Sequence, residues 1–385
     1  MLLRVDPEEN DVIFVVISHA CFVRIVFGAS MAGTVTFDTF NEEEERMKVA
    51  KVLAMVAGLS LVLVTFAHAG KDLDAVKKKG FIQAGVNGGV FGFGMPDEKG
   101  VWRGLDVDTA RAVAAAVFGD ADKVKYTPLT AQQRFTALQS GEIDVLTRNA
   151  TRTLSRETQL GLNFVAVNYY DGQGFMVSKK LGVKSAKELN GATVCVLPGT
   201  TTEQNAADYF RNNNIDWKPV VIESTSELAK TFFAGRCDVL TSDASQLAGA
   251  RAIAPNPKDY AILPEIISKE PLAPAVRHGD DQWRDIVDFT VLAMINAEEL
   301  GITSKNVDEM LKSKNPVVQR FLGVIEGNGK ALGLDEKWAY NIVKQVGNYG
   351  EVFERNVGVN TTLGLERGLN ALWTNGGLMY SPPFK

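Results

Sequence analysis

The residues that could do chemistry in this 385-residue chain gather where short apolar runs end. Two stretches share one plan. Gln133 to Asn149 reads QRFTALQSGEIDVLTRN and Glu227 to Asp243 reads ELAKTFFAGRCDVLTSD, and Gly141 matches Gly235, Asp144 matches Asp238 and Thr147 matches Thr241 at a constant offset of 94 residues. Each copy predicts an apolar helix stopped by glycine and followed by a short buried strand. Asn149 and Asp243 stand two residues past the matched threonines, at the carboxyl ends of the strands, where open α/β sheets hold their ligands. Either residue serves equally well as a turn former or helix cap, so alone they leave the question open.

A second constellation adds an anion site. Ala192 to Leu197 (ATVCVL) reads as an apolar strand, and Pro198-Gly199-Thr200-Thr201-Thr202-Glu203 then opens a helix that runs through Phe210. Thr200 with Glu203 fits a capping box, and the unpaired N-H groups of such a helix start attract a carboxylate. In the other copy, Asn149 to Arg156 (NATRTLSR) brings hydroxyl and guanidinium groups to the matching edge. A zwitterionic amino acid requires an arginine gripping its carboxylate and an acid facing its ammonium.

The elements that must position these residues follow from the same pattern. Strands alternating with helices in both copies imply βαβ units and mainly parallel sheets, hence two similar α/β lobes with their strand ends toward a shared cleft. Composition agrees: 45% hydrophobic and 23% charged residues describe a chain with a real core, and 41 basic against 46 acidic side chains leave no footprint for nucleic acid.

The first 70 residues read differently. Met47-Lys48-Val49-Ala50-Lys51, the uncharged run Val52 to Phe66 and the Ala67-His68-Ala69 exit have the three parts of a signal peptide, and the run falls short of the ~18 to 20 residues that span a bilayer. Residues 1–46, with the acidic run Glu42 to Glu45, are expected to be an upstream extension, with translation starting at Met47 and cleavage following Ala69. The exported part would keep Cys195, Cys237 and a single histidine, His278.

Over residues 70 to 385 the sequence resembles the periplasmic amino-acid-binding proteins of ABC importers, in their larger general (polar) L-amino-acid branch. The resemblance rests on GLDVDTARAVAAAVFGD (104–120), GEIDVLTRNATRTLSRET (141–158), NYYDGQGFMV (168–177), VCVLPGTTTE (194–203), AGRCDVLTSDASQLA (234–248) and SKEPLAPAVRHGDDQW (268–283). It implies the two-lobed, type II periplasmic-binding-protein fold, with crossover hinges near Tyr169 to Gly174 and Pro271 to Val276. Residues 70–170 and 275–385 would form lobe 1, with a C-terminal helical extension, and 171–274 lobe 2. By the same resemblance, Arg156 would hold the α-carboxylate with backbone N-H groups of Thr151 and Thr201. Asp243 would hold the α-ammonium with the Thr151 hydroxyl and the Asn149 carbonyl. Phe91 or Phe93 would cover the ligand where relatives carry an aromatic near position 90, and Arg152 stands where the larger branch commonly has one. Arg152 is either a lining residue of the side-chain pocket or a solvated loop arginine.

The implied partners are a free L-amino acid and a membrane permease, with no cofactor, no metal and no nucleic acid, and the receptor is expected to be a monomer. Cys195 and Cys237 could lie on neighbouring strands of lobe 2, and export permits a disulfide between them; two buried thiols are the alternative. Helices are expected over Trp283 to Ala297, Val307 to Leu311, Val317 to Ile325 and Glu336 to Val346, with Trp338, Tyr340, Trp373 and Tyr380 packing against lobe 1. The rival function is a periplasmic enzyme on the same fold, a dehydratase of an amino-acid precursor. Against it stand the single His278 and the want of Walker A, HExxH and GxSxG patterns.

Overall fold

The computed structural model describes residues 70–385 and, ahead of them, four strands, Leu2–Asp6, Asp11–Ser18, Cys21–Phe27 and Gly33–Asp38. Those four strands pair in chain order as an antiparallel meander within a separate unit, Met1–Ala69. The expected signal segment 47–69 lies outside the described residues.

Residues 70–385 build two five-stranded sheets. In the first, Ile82–Val86 runs parallel to Val124–Pro128 on one side and Val145–Leu146 on the other. Ala275–Arg277 and then Leu162–Phe164 extend the sheet antiparallel. Ile82, Ala84 and Val86, which share one face of this central strand, are fully buried. The helix Leu105–Phe118 is rich in alanine, the best helix former, and buries Ala110, Ala112 and Ala114 to Ala116. Its entry needs glycine: Gly104 has φ 129°, and a Cβ there would lie 2.1 Å from the Phe93 carbonyl oxygen.

In the second sheet, Trp217–Val221, Ala192–Val196 and Val239–Asp243 run parallel, and Gln173–Ser178 and Tyr260–Ile262 complete it antiparallel. The two sheets are the two lobes of the type II fold. Cys195, on the strand Ala192–Val196, is joined to Cys237 by a disulfide with a Cα–Cα distance of 5.7 Å.

The chain crosses between the sheets on two short strands, Tyr169–Asp171 and Glu270–Leu272, which pair with each other antiparallel. The first lies within the expected hinge Tyr169 to Gly174, whereas the second overlaps the expected Pro271 to Val276 only at Pro271 and Leu272, since Val276 already belongs to the sheet strand Ala275–Arg277. Pro271 is tolerated because its cross-strand partner Tyr170 turns its own N-H and carbonyl outward to Asn370, so the ladder asks for no N-H at residue 271.

Helices after the second crossing overlap all four expected stretches, at Asp281–Glu299, Val307–Met310, Pro316–Phe321 and Trp338–Gln345, but the one expected to reach Ile325 stops at Phe321, and Asn328–Leu332 and Tyr349–Asn356 are added. Trp338 is buried in one core with Leu105 and Ala112 of the first lobe, and Tyr340 packs at its edge. Trp373 and Tyr380 behave otherwise. They remain 50% and 60% exposed and stack edge-on against each other at 5.6 Å, which corrects the expectation that they pack on the lobe. The aromatic that the last residues do bury is Phe384, its ring 5.5 Å from Phe289, 5.6 Å from Phe321 and 6.0 Å from Trp338.

Candidate ligand-binding site

The repeated unit delivers its two polar residues as the sequence requires. The helix Gln133–Ser140 stops at Gly141 with φ 80°, Thr225–Phe233 is followed by Gly235 with φ 73°, and the strands Val145–Leu146 and Val239–Asp243 come next. Asn149 then takes φ 30°, a left-handed conformation that asparagine accepts more readily than most residues. Its N-H donates to Asp106 Oδ2 at 2.7 Å, and its amide oxygen accepts from Asn87 at 3.2 Å. Asp243 precedes the helix Ala244–Ala252 but does not cap it. Its carboxylate is buried and accepts from the Gln246 amide at 2.7 Å. Burial first, then the neighbouring Asp171 and Glu270 carboxylates, raise its pKa well above the usual range, so an approaching cation is needed to favour its ionised form.

Arg156 comes from the helix Leu154–Leu160, whose first turn is fixed by the Thr153 hydroxyl accepting from the Arg156 N-H at 3.3 Å. The guanidinium is buried, donates to the Thr151 carbonyl at 2.7 Å and lies 5.0 Å from the centre of the Phe135 ring. Burial lowers its pKa to about 10, opposed by Glu270 and Asp243, so it remains charged at neutral pH. Arg134 approaches the same ring at 4.6 Å and is 3% exposed, and its Nε has no hydrogen-bond partner among the described residues. Burial and the Arg148 and Arg156 charges push its pKa down, while Asp243 and Glu270 pull it up. Arg134 therefore belongs to the same electrostatic cluster as the predicted pair. The sequence reading passed over it, although the repeat held a signal: Arg134 occupies the position matched by the buried Leu228 in the second copy. A charge at a core-facing position of an amphipathic helix is a departure that calls for a purpose.

On the second lobe, Thr200 caps the helix Thr201–Asn212 by accepting from the Glu203 N-H at 3.1 Å. The expected reciprocal bond goes elsewhere: the Glu203 carboxylate accepts from the N-H of Gly199 at 2.9 Å, not from Thr200. The capping box is thus displaced by one residue, because Gly199, at φ 69°, turns its N-H back toward the helix. Thr201, the first helical residue, has no partner for its N-H within the helix. Its hydroxyl lies 3.3 Å from the Thr151 hydroxyl, so the two lobes meet here.

Both hydroxyls also donate to Glu270, a fully buried acid that the sequence reading did not single out. Phe91 stands apart from this polar group. It lines an interlobe cavity of about 580 Å³ together with Val90, Met95, Leu247 and Gln246, the same glutamine that bonds Asp243. Arg152 is half exposed and paired with Glu157 at 3.1 Å, as a solvated loop arginine would be.

Against known proteins, the model of the bacterial extracellular solute-binding proteins, family 3, matches residues 82–306. The chain belongs to that family. The general L-amino acid-binding periplasmic protein AapJ of Rhizobium johnstonii is 57% identical over 338 residues, 87% of this chain and 99% of that protein. The glutamate/glutamine/aspartate/asparagine-binding protein BztA of Rhodobacter capsulatus is 57% identical over 324 residues, 84% and 96% of the two chains. Among solved structures, an ABC transporter periplasmic binding protein from Brucella ovis with glutathione bound superposes with a TM-score of 0.81 at 55% identity, covering 83% of this chain and all of that one.

Proposed function

We propose that Arg156 and Asp243 hold the two charges of an L-amino acid between the lobes, with Thr151, Thr201 and Asn149 completing the grip. The observation that carries this reading is a buried guanidinium and a buried carboxylate placed on opposite lobes within one electrostatic cluster. A zwitterion supplies the partner each needs when buried. The chain is an extracytoplasmic receptor of the periplasm that captures L-amino acids and serves an ABC importer. Ligand bridging the lobes favours the closed state by its differential affinity, and the closed surface is what a permease partner would recognise. Residues 70–170 with 275–385 are taken as one lobe and 171–274 as the other, acting as a monomer.

The Arg134 Nε, which has no hydrogen-bond partner among the described residues, bears on the side-chain preference. A glutamate or aspartate carboxylate, or the oxygen of their amides, would satisfy it, in keeping with the ligands for which BztA is named. A second reading is favoured by the apolar cavity beside Gln246: a γ-glutamyl compound such as glutathione presents the same α-ammonium and α-carboxylate and has bulk to place there. An enzyme on this fold is the weaker alternative, since AapJ and BztA are both named as binding proteins. A thermal-shift panel of the twenty amino acids and glutathione tests all three. A ligand at 100 times its Kd stabilises by about 2.7 kcal/mol. No shift with any of them would overturn the receptor reading.

A further inference from the structure

We infer that Glu270 is a positioning residue: one buried carboxylate on the second crossover that clasps both lobes and so sets how long the receptor stays closed. This rests on the ligand site proposed above. Glu270 is 1% exposed and belongs to the hinge strand Glu270–Leu272, not to either five-stranded sheet. Its Oε2 accepts from the Thr151 hydroxyl of the first lobe and, at 2.9 Å, from the Thr201 hydroxyl of the second. Its Oε1 accepts from Asn205 Nδ2 at 2.7 Å and from the Ser268 hydroxyl at 2.6 Å. Each oxygen therefore takes two donors, and Oε2 takes one from each lobe.

The geometry has two consequences. With their hydroxyls engaged by Glu270, Thr151 and Thr201 are held in fixed rotamers, and their backbone N-H groups remain for a ligand carboxylate. Opening the lobes must also pull at least one of the two threonines away from a buried charge, which loses a charge-assisted hydrogen bond in a water-poor site. A clasp of this kind resists opening more than it assists encounter, so its removal should show in the dissociation rate. Glu270 also bears negative charge near Arg156 and Arg134, which could instead compete with the ligand carboxylate for them. The two roles predict opposite signs.

The test is stopped-flow and calorimetric binding of L-glutamate, or of whichever amino acid the wild type binds best, to the full receptor carrying Glu270→Gln. The clasp predicts a dissociation rate raised at least tenfold, an association rate within threefold of wild type, and weaker affinity. Thr201→Val should reproduce part of the effect, Thr201→Ser should restore it, and Glu270→Gln with Thr201→Val should fall short of the product of the single effects. Unchanged or tighter binding by Glu270→Gln would overturn the clasp, as would full independence of the two substitutions. Should Glu270→Gln fail to fold, Thr201→Val against Thr201→Ser carries the test alone, and equal dissociation rates for these two overturn it. Failure of the site reading itself would look different: wild-type protein would then bind no amino acid, or Arg156→Ala would bind as well as wild type.

Discussion

The hydroxyl oxygens of Thr151 and Thr201 stand 3.3 Å apart, one on each lobe, so closure of this protein brings polar groups into direct contact. Other pairs mark the same seam. The Thr130 hydroxyl reaches Glu223 at 3.3 Å, and a Cβ on Gly249 would lie 2.9 Å from the Phe91 carbonyl oxygen. A ligand enclosed at such a seam is desolvated, and every charge it carries must meet its opposite.

Arg156→Ala and Asp243→Ala should therefore each weaken amino-acid binding by about 3 kcal/mol or more, over a hundredfold, because the opposing ligand charge is left buried and unpaired. Isothermal calorimetry reads this directly. Wild-type affinity in either variant would sink the assignment of that residue.

Arg134→Leu should change preference more than fold. It restores the residue type found at the matched position of the second copy, Leu228, and removes a buried cation with an unsatisfied Nε. Affinity for L-glutamate should drop at least tenfold relative to L-alanine, the scale of a lost charged hydrogen bond of about 1.5 to 3 kcal/mol. An unaltered ratio would show that Arg134 does not meet the ligand side chain.

The acids of the site should give binding a pH signature. Burial raises Asp171 and Asp106 to about 6 and holds Asp243 well above the ordinary carboxylate range. Because these folded values exceed the unfolded one, the folded state binds more protons. The stability that Asp171 and Asp106 contribute is fully present below about pH 4 and is lost as the pH rises through about 6. Thermal melts of ligand-free protein should show this loss, and Asp171→Asn should flatten it. Amino-acid binding runs the other way: an ammonium beside Asp243 favours its ionised form, so affinity should fall as the pH is lowered and binding should release a proton. Calorimetry at pH 5.5 in two buffers of different ionisation enthalpy measures that release. Its absence would remove Asp243 from the ammonium.

How much of this was readable beforehand depends on where each residue sits. The 94-residue echo exposed Asn149 and Asp243 because glycine stops and strand ends follow short-range rules, and Gly141 and Gly235 obey them in the fold. The hinge strands and the helices after residue 280 were legible through the family resemblance and apolar periodicity. Glu270 was not. Its partners lie 119 and 69 residues away, at Thr151 and Thr201, and no local pattern encodes such a meeting. Gly199 likewise took the Glu203 carboxylate from Thr200, a choice made by one backbone angle.

Reduction of the Cys195–Cys237 bond should destabilise the receptor through the second lobe. The bond spans a sequence separation of 42, for which the chain-entropy account gives about 4 kcal/mol. Denaturant melts with and without reductant should differ by up to that amount. Identical melts, with both thiols shown to be free after reduction, would contradict it.

Asn370, far along the C-terminal extension, should tune the hinge. Its side chain accepts from the Tyr170 N-H at 2.7 Å and donates to the Tyr170 carbonyl at 3.0 Å, as a third strand would, while the Tyr349 hydroxyl donates to the Asn168 carbonyl at 2.9 Å. Asn370→Ala should cost about 1 to 2 kcal/mol of stability and speed hydrogen exchange at Tyr170 selectively. Unchanged exchange there would show that the contact does not brace the crossover.

The paired crossovers, Tyr169 against Leu272, Tyr170 against Pro271 and Asp171 against Glu270, have a mechanical meaning. Two separate tethers would let the lobes twist and slide as well as swing. Two tethers laced together by backbone hydrogen bonds bend as one strip, which leaves essentially one angle free. Capture then has a single coordinate along which to proceed, and a membrane partner has one variable to read in telling a loaded receptor from an empty one.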